Sequence, residues 1–139
     1  MAMSQGGEGL DVVIDWTAGD TTVRWSGPDV SVEKTHALAP TSVLAWHEDG
    51  ETLVLVVEAL DFTPDSPRDN AVVYWADGSE RFRVRPPDGL VRDPKGVDGF
   101  FSAFLSNGRP LMIMATNGGD FQGRIDVATG EIVETNRWR

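Results

Sequence analysis

The sequence predicts an all-β protein. Short runs of alternating apolar and polar residues follow one another along the chain, and turns that contain glycine separate most of them. No window of helical length places apolar residues three and four positions apart behind a capping residue. We therefore expect an antiparallel meander of about ten strands in consecutive hairpins, with little or no helix.

The first hairpin is predicted from residues 11–17 and 21–25, which alternate in polarity on either side of Ala18-Gly19-Asp20. A second turn, Ser26-Gly27-Pro28, leads into another alternating run at residues 29–33. The amino-terminal part of the domain should therefore contain at least three short strands.

The second hairpin is the most apolar, with strands at residues 41–46 and 51–59 around the turn Glu48-Asp49-Gly50. Both alternating faces of residues 53–57 are hydrophobic. Such a run is typical of a central strand covered on both sides, which predicts a fold with two layers.

The third hairpin is predicted from residues 71–75 and 80–85, where Asp77-Gly78 supplies the positive φ of a tight turn. Prolines and turn-forming residues on either side of this hairpin predict long loops at residues 61–70 and 86–99.

Two further hairpins are predicted in the carboxy-terminal part. Residues 100–105 pair with 110–116 around Asn107-Gly108, and residues 121–127 pair with 131–137. We expect residues 1–9 to be a flexible N-terminus and residues 10–139 to form a single all-β domain. A small sandwich, an open barrel and a partial propeller-like stack all fit this pattern.

Composition excludes several classes of partner. The 139 residues carry a formal charge of −10, and the isoelectric point is near 4.5, so nucleic acid and anionic membrane surfaces would be repelled. The chain has no cysteine, which fits a reducing cytoplasm better than a secreted scaffold. No apolar run approaches the length of a membrane span, and the first ten residues do not resemble a signal peptide. We therefore expect a cytoplasmic protein.

Catalytic and metal-binding patterns are weak. The two histidines, His36 and His47, have no second ligand at a spacing typical of zinc. Asp61, Asp65 and Asp69 recur at intervals of four but lack the glycine and terminal glutamate of a calcium loop. We predict no cofactor, no metal site and no catalytic residue.

One strand carries an unusual pattern of charge. Alternation would project Arg81, Arg83 and Arg85 from one face, as a basic ridge on an acidic protein. Cross-strand pairing with neighbouring carboxylates is one interpretation. The other is a recognition strip for an acidic partner, with Tyr74 or Trp75 beside it as an aromatic anchor.

The half of the chain from Asn70 onward resembles a group of small bacterial β-proteins related in style to propeller blades. The resemblance lies in a strand that enters Asp77-Gly78, the return strand with Phe82, the Asn107-Gly108 turn, and the closing hairpin at Thr129-Gly130-Glu131. Some proteins of this style are thought to be immunity proteins that neutralise a partner toxin. The resemblance brings no catalytic residues.

These observations favour a non-enzymatic protein-binding module, of which an immunity protein is one kind. Two alternatives stay open. One is a small hydrolase or isomerase that uses Asp61, Asp98 or Asp120 in a β-cavity, and the other is a structural subunit or homodimer that associates through an unpaired edge strand.

Overall fold

The computed structural model describes residues 3–6, 12–60, 68–89 and 96–138, and these residues form strands and turns without any helix. The strands are β1 (Met3–Gly6), β2 (Val13–Asp15), β3 (Thr22–Ser26), β4 (Ser31–Thr35), β5 (Ser42–Glu48), β6 (Glu51–Val57), β7 (Ala71–Trp75), β8 (Glu80–Arg83), β9 (Val97–Ser106), β10 (Arg109–Thr116), β11 (Gly119–Asp126) and β12 (Glu131–Arg137). The predicted all-β class is confirmed. Within the described ranges, no helix is long and apolar enough to cross a membrane.

The strands form three sheets. The central sheet has the order β1-β5-β6-β7-β8, the C-terminal sheet β12-β11-β10-β9, and the N-terminal sheet β2-β3-β4. Neighbouring strands are antiparallel except β1, which pairs with β5 in parallel. Residues 3–6 therefore form a paired strand within the segment that the sequence predicted to be a flexible N-terminus.

Strand β6 lies in the middle of the central sheet, and residues 53–57 are fully buried. Leu53, Leu55 and Val57 pack in a first core shared with the C-terminal sheet, whereas Val54 and Val56 pack in a second core shared with the N-terminal sheet. The predicted cover on both faces of this strand is confirmed. It requires a sheet on each side, so the protein is a small β-sandwich of three layers rather than the two predicted.

Two hairpin turns have the geometry that their sequences predict. Asp49-Gly50 joins β5 to β6 with φ of 53° and 78°, and Asn107-Gly108 joins β9 to β10 with φ of 54° and 76°. Positive φ at both central residues matches the twist of paired strands. These turns therefore set the register in which each of the two hairpins begins to pair.

The C-terminal sheet is one continuous meander. The predicted fourth and fifth hairpins are joined by Asn117-Gly118, because Thr116 pairs directly with Gly119. The Thr116 hydroxyl accepts from the Gly118 N–H at 3.0 Å and donates to the Gly119 carbonyl at 2.6 Å. Four strands thus follow one another without a long connection.

The described parts of the two predicted long loops, residues 68–70 and 86–89, contain no strand, as predicted, and the second loop ends earlier than expected. Strand β9 begins at Val97, so the last three residues of the predicted loop 86–99 are strand. Strand β8 ends at Arg83, and Arg85 then forms an isolated parallel bridge with Glu131 of β12. Residues 61–67, which hold most of the first predicted loop, and residues 90–95 of the second lie outside the described residues.

Candidate functional site

A groove of about 590 Å³ lies at one end of the central sheet. The β5–β6 and β7–β8 turns meet at this end because alternate turns of consecutive antiparallel strands lie at the same end of the sheet. We call it the turn groove, and its lining residues are His47, Gly50, Glu51, Thr52, Trp75, Ala76, Asp77 and Ser79.

A β-bulge places a cation against the aromatic wall of the turn groove. In the β7–β8 register Val73 pairs with Phe82 and Tyr74 with Glu80, so Arg81 is left without a partner of its own. The Arg81 guanidinium carbon lies 4.4 Å from the centre of the Trp75 ring and 5.7 Å from that of Phe82. A guanidinium over an indole contributes about 0.5–2 kcal/mol, depending on its exposure to water.

Arg83 has a different set of partners. Its guanidinium donates to both carboxylate oxygens of Glu58, at 2.9 and 3.4 Å, and to the Asp69 carbonyl at 3.0 Å. The hydrogen bond to Glu58 raises the pKa of Arg83, although partial burial acts in the opposite direction. Arg83 lies opposite Val72, on the side of the second core, whereas Arg81 contacts Trp75 and Phe82 beside the first core.

Arg85 connects the central and C-terminal sheets. Its side chain donates to the Thr129 carbonyl at 2.9 Å and lies 3.4 Å from the Glu131 carboxylate, while its backbone N–H donates to the Gly130 carbonyl. The three arginines therefore do not form the single ridge that strand alternation predicted. Arg81 lies at the bulge and stacks on Trp75, whereas the other two arginines are paired with carboxylates.

The two candidate aromatic anchors are in different environments. Tyr74 is only 8% exposed and belongs to the second core, where its ring centre lies 5.6 Å from that of Trp25 and 4.8 Å from the Lys34 ammonium. Burial, followed by the charge of Glu58, raises the pKa of Tyr74. Trp75 is half-buried and lines the turn groove. Of the two, only Trp75 is placed to contact a partner.

Acidic and polar groups occupy the rest of the turn groove. The Asp77 carboxylate accepts from the Ser79 hydroxyl at 2.6 Å and from the Ser79 N–H at 2.9 Å. These hydrogen bonds lower the pKa of Asp77, so the carboxylate is charged at neutral pH. Together with the exposed Glu51, it gives this end of the sheet a negative field beside the Arg81 cation.

The two histidines lie in different pockets. His47 lines the turn groove, where its Nδ1 lies 3.5 Å from the Thr52 hydroxyl. His36 lies in a separate pocket of about 340 Å³, with its Nε2 4.0 Å from Glu58. Across the described ranges, no three His, Cys, Asp or Glu residues are grouped as a metal site would require.

The carboxylates considered for an enzyme are only partly described. Asp98 lies on β9 and Asp120 on β11, with β10 between them, while Asp61 lies outside the described residues together with Asp65.

No protein family, curated protein or solved structure matches this chain. The resemblance to propeller-blade-like immunity proteins therefore stays a prediction.

Sequence reasoning missed two features of this region. Glu58, which holds Arg83 and approaches His36, gave no signal because it is 25 residues away from its arginine. The bulge at Arg81 also gave no signal, since alternating residues in β8 look the same with and without it. The Asp77-Gly78-Ser79 turn was visible as a hairpin signal, and the same residues supply the ionised carboxylate of the groove.

Proposed function

We propose that the protein is a non-enzymatic protein-binding module, of the kind of an immunity protein that neutralises a partner toxin, and that the turn groove is its recognition site. The observation that carries this proposal is the stack of Arg81 on Trp75 beside an open groove. Tryptophan and arginine are the residues that most often dominate the binding energy of protein interfaces, because each combines a large contact area with hydrogen-bonding capacity.

Charge indicates the character of the partner. The chain carries −10 overall, and Glu51 and Asp77 add negative charge at the groove. A basic surface would be attracted over long distances and would associate faster at low ionic strength. A basic partner differs from the acidic partner that an arginine ridge would favour. Only Arg81 contacts Trp75 at the groove, while Arg83 and Arg85 form ion pairs within the chain. We place this interaction in the cytoplasm, as the absence of cysteine favours.

Affinity capture of the full chain from its native host, followed by mass spectrometry, tests the proposal. We expect one stoichiometric partner, and we expect Arg81→Ala to weaken its binding by about 1–3 kcal/mol because the substitution removes the cation from the Trp75 face. Arg109→Ala is the matched control, since Arg109 is exposed at the β9–β10 turn and its replacement changes the net charge by the same amount.

The outcomes separate the proposal from its alternatives. Capture of a partner that Arg81→Ala releases and Arg109→Ala retains would support recognition at the turn groove. A basic partner that both variants bind more tightly, and to the same extent, would mean that net charge alone governs binding. If no protein is captured and a small molecule stabilises the fold instead, the binding-module proposal is wrong.

A further inference from the structure

The two outermost faces of the three-layer sandwich differ in polarity. On the N-terminal sheet, Val23 and Trp25 point into the second core, so alternation turns their neighbours outward. The outward cross-strand pairs are Thr22 with Thr35, Arg24 with Glu33, and Ser26 with Ser31. The threonine hydroxyls are 3.2 Å apart, and Arg24 lies 3.2 Å from Glu33. Apart from the exposed Val13 of β2, which pairs with Ser26, this face has the polar character of a sheet surface in contact with water.

The outer face of the C-terminal sheet is different. Met112, Ile125 and Ile132 point into the first core, so the alternating neighbours face outward. One outward row crosses all four strands in register and consists of Phe104, Leu111, Arg124 and Val133. Three of these four side chains are apolar.

Aromatic residues extend this apolar row. The Trp138 and Phe104 ring centres are 5.8 Å apart. Ile113 also faces outward by alternation, between the core residues Met112 and Met114, yet it is only 4% exposed. Val133 is 40% exposed and Trp138 is 37% exposed. We call the surface formed by Phe104, Leu111, Val133 and Trp138 the apolar face.

The one cation in the row is held by the backbone. The Arg124 guanidinium donates to the carbonyls of Ser106, Arg109 and Pro110 at 2.9, 2.8 and 3.2 Å. All three hydrogen bonds come from Nη1, so one end of the guanidinium is held against the β9–β10 turn at the side of the row.

Charge distribution identifies the occupant. Residues 97–139 contain five Asp or Glu and four Arg, a net charge of −1, so the other 96 residues carry −9 of the total of −10. A strongly charged partner would find little opposite charge on the C-terminal sheet. A second copy of the same nearly neutral sheet would meet it without repulsion and would keep the two acidic parts on opposite sides.

We propose that the apolar face is covered in solution by the same face of a second copy, which gives a symmetric dimer. A two-fold interface uses one patch on both subunits, and an apolar, nearly uncharged patch is complementary to itself. Four strands about 4.8 Å apart make a face only about 20 Å wide. The area that such a narrow face can bury is at the small end of the range for stable interfaces, so we expect a weak dimer. The dimer leaves the turn groove free, since the groove belongs to the central sheet.

Sedimentation of the full chain at concentrations from about 1 µM to about 500 µM tests the proposal, because this range covers weak protein complexes. We expect a reversible monomer–dimer equilibrium. Val133→Glu should raise the dimer dissociation constant at least about tenfold, because it places an unpaired charge in the interface. Val133→Lys should do the same although it lowers the net charge, which separates loss of the apolar contact from general repulsion.

Val13→Glu is the matched control. Val13 is 70% exposed on β2 of the opposite outer sheet, so this variant makes the same substitution away from the apolar face and should dimerise like the wild type. Circular dichroism of each variant checks that it is folded. A wild-type chain that is monomeric throughout, or a dimer that survives both Val133 substitutions in a folded protein, would overturn the proposal. Capture of a partner at the turn groove does not depend on either result.

Discussion

The side-chain amide of Asn70 hydrogen-bonds to both backbone groups of Phe100. Its oxygen accepts from the Phe100 N–H at 2.7 Å, and its nitrogen donates to the Phe100 carbonyl at 2.8 Å and to the Glu58 carbonyl at 2.7 Å. Asn70 is 2% exposed. The Asn70 side chain thus links the residue before β7, in the central sheet, to β9, in the C-terminal sheet.

We predict that Asn70→Asp lowers the free energy of unfolding by about 2–4 kcal/mol at neutral pH, because a carboxylate cannot donate to the two carbonyls and is buried beside them. Urea denaturation measures this change. Stability should recover partly in acid, where the protonated carboxyl regains one donor. Asn136→Asp, at an exposed position, is the control and should change stability by less than about 0.5 kcal/mol. Equal effects at the two positions would contradict this account of the contact.

Tyr74 predicts a loss of stability in alkali. Because burial raises its pKa in the folded state, the unfolded chain releases this proton first, so stability falls as pH rises above the ordinary value of 10.0 towards the folded pKa. The chain contains one tyrosine, so the near-ultraviolet absorbance of tyrosinate reports on this residue alone. Tyr74→Phe should flatten the alkaline limb of the stability curve. A folded-state titration at the ordinary value would refute the prediction.

Gly123 lies too close to β12 to carry a side chain. A Cβ at this position would lie 2.4 Å from the Ile132 Cγ2 and 3.3 Å from the Val133 carbonyl oxygen. We expect Gly123→Ala to cost about 1–3 kcal/mol through overpacking. Thermal unfolding should also show that the cost is smaller when Ile132→Ala is already present, because the colliding methyl group is then absent. Additive effects of the two substitutions would show that this contact is not the cause.

The comparison for Gly123 is Gly108→Ala in the β9–β10 turn. A Cβ there would meet nothing within 4 Å, so only the positive φ of +76° opposes it. The expected cost is about 1 kcal/mol, and Ile132→Ala should leave it unchanged.

The Glu58–Arg83 pair should depend on the shape of the guanidinium. Arg83→Lys keeps the charge but loses the two-point contact with Glu58, and we expect a cost of about 1 kcal/mol, since the pair is partly exposed. Arg24→Lys in the more exposed Arg24–Glu33 pair is the control, with an expected change close to zero. Chemical denaturation compares the two, and a similar small loss in both would mean that the second contact with Glu58 contributes nothing.

Local patterns predicted much of the fold. The alternation in residues 53–57 and the Asp49-Gly50 and Asn107-Gly108 turns depend on neighbouring residues, so they could be read directly from the sequence. The parallel pairing of β1 with β5 could not, because its partners are about 39 residues apart and no local preference encodes that contact.

The candidate site was harder to predict than the fold. Trp75 was identified, but the position of Arg81 depends on a bulge that shifts the register by one residue. In the sequence, a tyrosine or an arginine looks the same whether it belongs to a buried network or to a recognition surface. For Tyr74 and Arg83 only the positions of Trp25 and Glu58 decide between the two. Such contacts between distant segments have no counterpart in the spacing of residues along a strand.

The side chains of strand β6 alternate between two separate hydrophobic cores, one on each face of the central sheet. Val54 and Leu55 are adjacent along the backbone yet belong to different cores. The central sheet is therefore a partition, and substitutions that enlarge one compartment can be compensated by residues of that compartment alone. The two outer sheets can therefore accumulate substitutions independently of each other, provided that the central sheet between them keeps its structure.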